Sequence, residues 1–172
     1  MHFIVECLTG GRQAVGAETM IEAKVVLTQP LSNRRQFVAR TGGGHQFLMD
    51  DKDGATGPKP IELVAAGLAG CTAFDVISIL RKKRMYVTDY EVHVEADQAP
   101  QPPAAFEKVR IHHVVTGVEV ARKAVEDAIR LSEEKYCSVG AMIRKTAQFE
   151  TTFEIREVGV EEDSKVAHGA VA

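Results

Sequence analysis

Residues 60–83 read PIELVAAGLAGCTAFDVISILRKK, and the fold turns on this stretch. Pro60 suits the first turn of a helix, where its missing N–H costs nothing. Glu62 lies in the same turn, well placed against the helix dipole. The basic run RKKR at residues 81–84 suits the opposite end. Between them the chain is apolar almost all round, which predicts a long helix from about Pro60 to about Lys83, buried on most sides. Gly costs roughly 1 kcal/mol in a helix interior, so Gly67 and Gly70, set among Ala65, Ala66 and Ala69, point to a packing demand. Residues 63–80 reach the lower limit of a membrane span. Asp75 within them, and the many small residues, favour a core helix, so no membrane association is expected.

Upstream, MIEAKVVLT (20–28) alternates as a strand, and PLSNRR (30–35) reads as a turn. QFVAR (36–40) and HQFLMD (45–50) are short strands around the turn TGGG (41–44), which together predict a β-meander. DDKDGATGPKP (50–60) is a polar loop rich in Gly and Pro. Downstream, YEVHVEA (90–96) sets Tyr90, Val92, Val94 and Ala96 on one face, and KVRIHHVVTG (108–117) does the same with Val109, Ile111, His113 and Val115. Residues 119–135 form an amphipathic helix whose inner side is Ala121, Val125, Ala128, Ile129 and Ser132. A short helix follows from Ser138 to about Lys145, and AQFETTFEI (147–155) closes with strict alternation. The order βββ, α, ββ, αα, β, in antiparallel runs, is α+β rather than βαβ. A single domain, 20–156, is expected between an N-terminal arm, 1–19, either loose or adding one edge strand, and a disordered tail, 157–172. One small sheet does not cover so apolar a helix, so a homodimer that shares it is expected.

The chain has 172 residues, 45% apolar and 26% charged, the composition of a globular protein with a sizeable core. A formal net charge of −3 gives no electrostatic case for nucleic acid. There is no Gly-rich phosphate loop and no internal repeat. The first residues, MHFIVECLTGGRQ, lack the basic region and the apolar length of a signal peptide. The expected compartment is therefore a reducing cytoplasm, where cysteines are not structural disulfides.

Two cysteines invite chemistry. Cys71 lies on the central helix, where a free cysteine is ordinarily a small packed hydrophobe. Cys137 falls between two helices, and a thiol at a helix N-terminus has its pKa lowered. Arg144, on roughly the same helical face, would add positive charge. Either thiol can still be read as plain packing, and Cys7 in the arm reads as incidental. The separation of Cys71 and Cys137 rules out a local Cys-x-x-Cys loop, and neither has the paired spacing of a zinc site. His112 and His113 point to opposite faces of a strand and cannot chelate together, so no metal and no cofactor is expected. A Cys–His dyad stays open, with no histidine singled out. Two thiols on packed helices can run a peroxide cycle. One thiolate attacks the O–O bond and becomes a sulfenic acid; the second condenses with it to a disulfide. An external dithiol then reduces that disulfide. Such a site calls for a cation beside the thiolate and a carboxylate to position the cation.

KPIELVAAGLAGCTAFDV (59–76) together with LSEEKYCSVGAMI (131–143) resembles the OsmC/Ohr family of thiol peroxidases. The resemblance spans roughly residues 20–156. It implies an intertwined α+β dimer of antiparallel sheets around long central helices. It further implies Cys71 as the cysteine that attacks an organic hydroperoxide and Cys137 as the resolving one. In the family a glutamate directly follows the helix-opening proline and holds a catalytic arginine from the N-terminal β-region. Here that position is Ile61, and Glu62, next along, is the candidate carboxylate. Arg34, Arg35 and Arg40 are the candidate arginines. The alternative expectation is a non-catalytic protein of this fold, a redox sensor or a binder of small apolar ligands.

Overall fold

The computed structural model describes residues 20–28, 35–51 and 56–158. They fall into two compact units, divided between Lys59 and Pro60. The expected arm, 1–19, and most of the expected tail, from residue 159 on, lie outside the described residues.

The first unit is the meander read from the sequence. Strands β1 (Ala23–Leu27), β2 (Phe37–Thr41) and β3 (Gln46–Met49) pair in order, antiparallel throughout. The β2–β3 turn needs a positive φ at Gly44, +84°, which glycine adopts without strain. Asp50 is buried and accepts a hydrogen bond from Thr56, whose hydroxyl in turn accepts from the Gln36 amide at 2.6 Å. These bonds fasten the end of the polar loop to the sheet.

The second unit holds the long helix α1 (Pro60–Lys82) and the hairpin β4 (Tyr86–Gln98) and β5 (Phe106–Val118). Then come α2 (Arg122–Leu131), a π turn (Ser132–Tyr136), α3 (Ser138–Ile143) and β6 (Gln148–Glu157). β4 begins four residues before its expected start, because a bulge between Val87 and Asp89 breaks the alternation that marks a strand. The sheet order is β4-β5-β6; β4 and β5 are antiparallel, β5 and β6 parallel. The segment from α2 through α3 is the crossover that a parallel pair requires. The α+β class is as expected, with this second sheet mixed in direction.

Leu68, Thr72, Val76 and Leu80, four residues apart, form the buried stripe of α1. Val76 and Leu80 pack with Val115, Val125, Ala128 and Ile129; Leu68 packs with Phe106, Val109, Ile111 and Cys137. Fully burying one such side chain contributes about 1.5–3 kcal/mol, so this stripe fixes how α1 lies on the sheet. The expectation of burial on most sides holds for one face only within a single chain. On the other flank Val64 is 40% and Phe74 is 80% exposed. Among the described residues, a Cβ added at Gly67 or Gly70 would meet nothing within 4 Å. α1 has the length and composition to cross a membrane; here it is packed along a sheet.

Candidate active site

Cys71 and Asp75, one turn apart, form a second stripe on α1 beside the buried one. Cys71 is part-exposed and Cys137 is buried, and both are free thiols. The Cys71 sulfur, the Cys137 sulfur and an Asp75 carboxylate oxygen all lie within 4.8 Å of one another. A disulfide needs about 2.05 Å between sulfurs, so a small side-chain movement would join them. The Ser138 hydroxyl stands 4.0 Å from the Cys71 sulfur.

The π turn sets the position of Cys137. Its wider hydrogen-bonding ring shows in the Cys137 N–H, which donates to the Ser132 carbonyl at 2.8 Å. The sequence reads as one continuous helix to residue 135, because the Arg130–Glu134 pair fits an α-helix and indeed forms, at 3.1 Å. The π turn leaves Ser132 fully buried against α1. The Ser132 hydroxyl donates to Asp75 Oδ2 at 3.0 Å and lies 3.1 Å from the Thr72 hydroxyl. Cys137 then caps α3: its sulfur accepts from the Gly140 N–H at 3.3 Å. Gly140 makes room for the thiol, since a Cβ there would stand 3.2 Å from the sulfur.

This cap does not acidify Cys137 as the sequence reading expects. Burial first, and the interaction with Cys71 second, push the thiol up from its ordinary 9.0 to about 11, a net rise that the Gly140 N–H offsets only in part. Desolvation of a thiolate outweighs the orphan N–H groups of a six-residue helix.

Arg144 reaches the same small cleft, of about 10 Å³, that Leu68, Thr72, Cys137 and Phe149 line. It is not free to serve a thiolate. Glu133 holds it at 2.9 Å and its guanidinium lies 4.0 Å over the Phe149 ring. Thr151 donates to the same Glu133 carboxylate. Glu62 is exposed in the first turn of α1. Counted along the helix it sits about 2.5 turns before Cys71, roughly 13 Å away and on the opposite side. The structure therefore does not bring Glu62 to the thiols. Ile61, where the family glutamate would stand, packs against the Leu68–Ile111–Cys137 cluster. Arg35 is paired with Asp51 at 3.5 Å, and Arg40 sits on β2 opposite Lys24. Arg34 and Cys7 lie outside the described residues. His112 and His113 face opposite ways, as expected: His112 meets Thr152 at 2.8 Å, while His113 is buried 2.6 Å from the Tyr90 hydroxyl.

The sequence reading missed Asp75 and Ser132. Asp75 entered it only as a polar residue against a membrane span; the usable signal is its i, i+4 spacing from Cys71. Two sulfurs and a carboxylate oxygen are also a donor set that zinc-type ions accept. Two cysteines so far apart in sequence gave no sign of that grouping.

Comparisons with known proteins bear on the family and the fold. The sequence pattern of the family described as OsmC-like protein matches residues 51–152. Protein YhfA of Escherichia coli (strain K12) is 39% identical over 119 residues, 69% of this chain and 89% of that protein. A hypothetical protein from Aquifex aeolicus VF5 superposes with a TM-score of 0.73 at 28% identity, covering 83% of this chain and 100% of that one. An organic hydroperoxide resistance protein OsmC from Legionella pneumophila shares the fold, with a TM-score of 0.59 at 19% identity over 80% of this chain and 98% of that one.

Proposed function

The chain belongs to the OsmC-like protein family, and from that premise we propose that it is a thiol-dependent reductase of organic hydroperoxides, acting as a homodimer in a reducing cytoplasm. The observation that carries this reading is the thiol pair, two free sulfurs within 4.8 Å with one part-exposed and one buried. The part-exposed Cys71 is the sulfur that a hydroperoxide can reach. Its thiolate attacks the O–O bond, an alcohol leaves, and Cys71 becomes a sulfenic acid. Cys137, 5% exposed, is shielded from the oxidant and resolves the sulfenic acid to a disulfide with loss of water. An external dithiol returns both cysteines to thiols. The apolar side chains of α1 and of the cluster around Leu68 favour an organic hydroperoxide over hydrogen peroxide.

Turnover of cumene hydroperoxide with dihydrolipoamide as reductant tests the reading. Cys71→Ser is expected to abolish turnover, and Cys137→Ser to stop the cycle at the sulfenic acid. No turnover in the unaltered protein sinks the idea. A second reading, a redox sensor or small-ligand binder, draws on Ile61, an apolar residue at the family's carboxylate position. A disulfide that forms and reverses with negligible turnover would favour it.

A further inference from the structure

Building on the peroxidase reading, we propose that Asp75 is the proton acceptor of the disulfide-forming step. Its carboxylate takes the Cys137 thiol proton as that sulfur attacks Cys71, and returns it to the departing hydroxide. The geometry provides the reach: carboxylate oxygen and both sulfurs lie mutually within 4.8 Å, close enough for transfer through one water or after a small side-chain movement. The step balances without any further reagent. The Cys137 S–H bond breaks toward Asp75, an S–S bond forms, and the Cys71 S–O bond breaks. The hydroxide takes the proton from Asp75 and leaves as water, with the carboxylate restored.

Three features suit Asp75 to this role. First, its orientation is built in. Ser132 gives its only hydroxyl proton to Asp75, so the bond between Ser132 and Thr72 runs from Thr72 to Ser132. Two hydroxyls in series thus hold the carboxylate in place beside the thiols. Second, among the described residues no Lys or Arg is paired with Asp75, so no salt bridge competes for the carboxylate. Third, Cys137 needs an acceptor. Being 5% exposed, the thiol has little bulk water to take its proton as it attacks. Of the other charged groups lining the Cys137 cleft, Glu133 and Arg144 are paired with each other at 2.9 Å, with Glu133 also bonded to Thr151. Among the described residues, that leaves the part-exposed Cys71 and Asp75 facing the thiol.

Single-turnover oxidation, with a chelator present throughout, separates the two steps. Dimedone trapping follows sulfenic acid at Cys71, and loss of free thiol follows the disulfide. In Asp75→Asn the disulfide step is expected to slow on the order of 100-fold more than the oxidation step. Its rate should then climb with pH as hydroxide replaces the lost base, and Asp75→Glu should restore much of it. Ser132→Ala, which removes the aiming bond but keeps the charge, should slow the step less and with the same pH pattern. An unchanged disulfide rate in Asp75→Asn, or an equal loss at every pH without rescue by Asp75→Glu, overturns the proposal. Should Asp75→Asn fail to fold, Ser132→Ala decides, and no slowing there overturns it. Should the unaltered protein form no sulfenic acid, the peroxidase reading has failed, and a mixed disulfide placed on Cys71 with Ellman's reagent still tests Asp75. Cys137 then releases the coloured aromatic thiolate, slowly in Asp75→Asn if the proposal holds and at the unaltered rate if it does not.

Discussion

His113 shows how a single buried residue ties stability to pH. It is 0% exposed at the centre of β5, with the Tyr90 hydroxyl 2.6 Å from Nδ1. Among the described residues Nε2 has no hydrogen-bond partner. Burial, with a smaller contribution from His112, lowers its pKa from 6.5 to about 4. Between those values the unfolded chain takes up a proton that the folded protein refuses, so stability falls as pH drops through that window. The loss attributable to His113 is about 2 kcal/mol at pH 5 relative to neutral pH. Urea unfolding of the unaltered protein and of the pair His113→Leu with Tyr90→Phe checks this. The double variant leaves no orphan hydroxyl and should lose about 2 kcal/mol less between pH 7 and pH 5. At this same scale the site was half legible in the sequence. Cys71 and Cys137 stood out as thiols in helical contexts. Asp75 did not, because a lone acid in an apolar helix carries no sign of its partner until Ser132 is folded against it. The pKa of Cys137 was misjudged because a sequence displays a helix start but not the burial that opposes it.

Among the elements, α1 was the most legible, bounded by Pro60 and a basic run and apolar between. Its end came one residue early, at Lys82. The π turn was not legible, since its charges fit an ordinary helix and the extra residue appears only in the bond from Cys137 to Ser132. The parallel pairing of β6 was equally hidden, because alternation shows which face of a strand is apolar but not which way a neighbour runs. The glycines of α1 make a test of the dimer. Among the described residues nothing stands within 4 Å of a Cβ added at Gly67 or Gly70, so Gly67→Ala should stabilise an isolated helix by up to about 1 kcal/mol. If a second copy packs closely there, the added methyl should instead weaken association. The expected result is a lower dimer fraction for Gly67→Ala by sedimentation velocity, despite the better helix former. A more stable protein with unchanged association would place the dimer contact elsewhere.

For the molecule as a whole, the exposed flank of α1 is the strongest structural argument that the chain works as a pair. Phe74, at 80% exposure, and Val64 continue an apolar surface that one small sheet leaves uncovered. The thiols, by contrast, are complete within one chain, because α1 and the crossover between β5 and β6 both belong to the second unit. This arrangement has a consequence for how the protein is handled. A Cys71–Cys137 bond would stitch the crossover to the central helix and close a loop of many tens of residues. Such a tether removes freedom from the unfolded chain worth about 4 kcal/mol, less any strain. The oxidised protein is therefore expected to melt on the order of 10 °C above the reduced one. A thermal-shift curve with and without dithiol checks it, and coincident curves would show that no such bond forms. Heat resistance would then serve as a gauge of the protein's redox state, readable without any substrate.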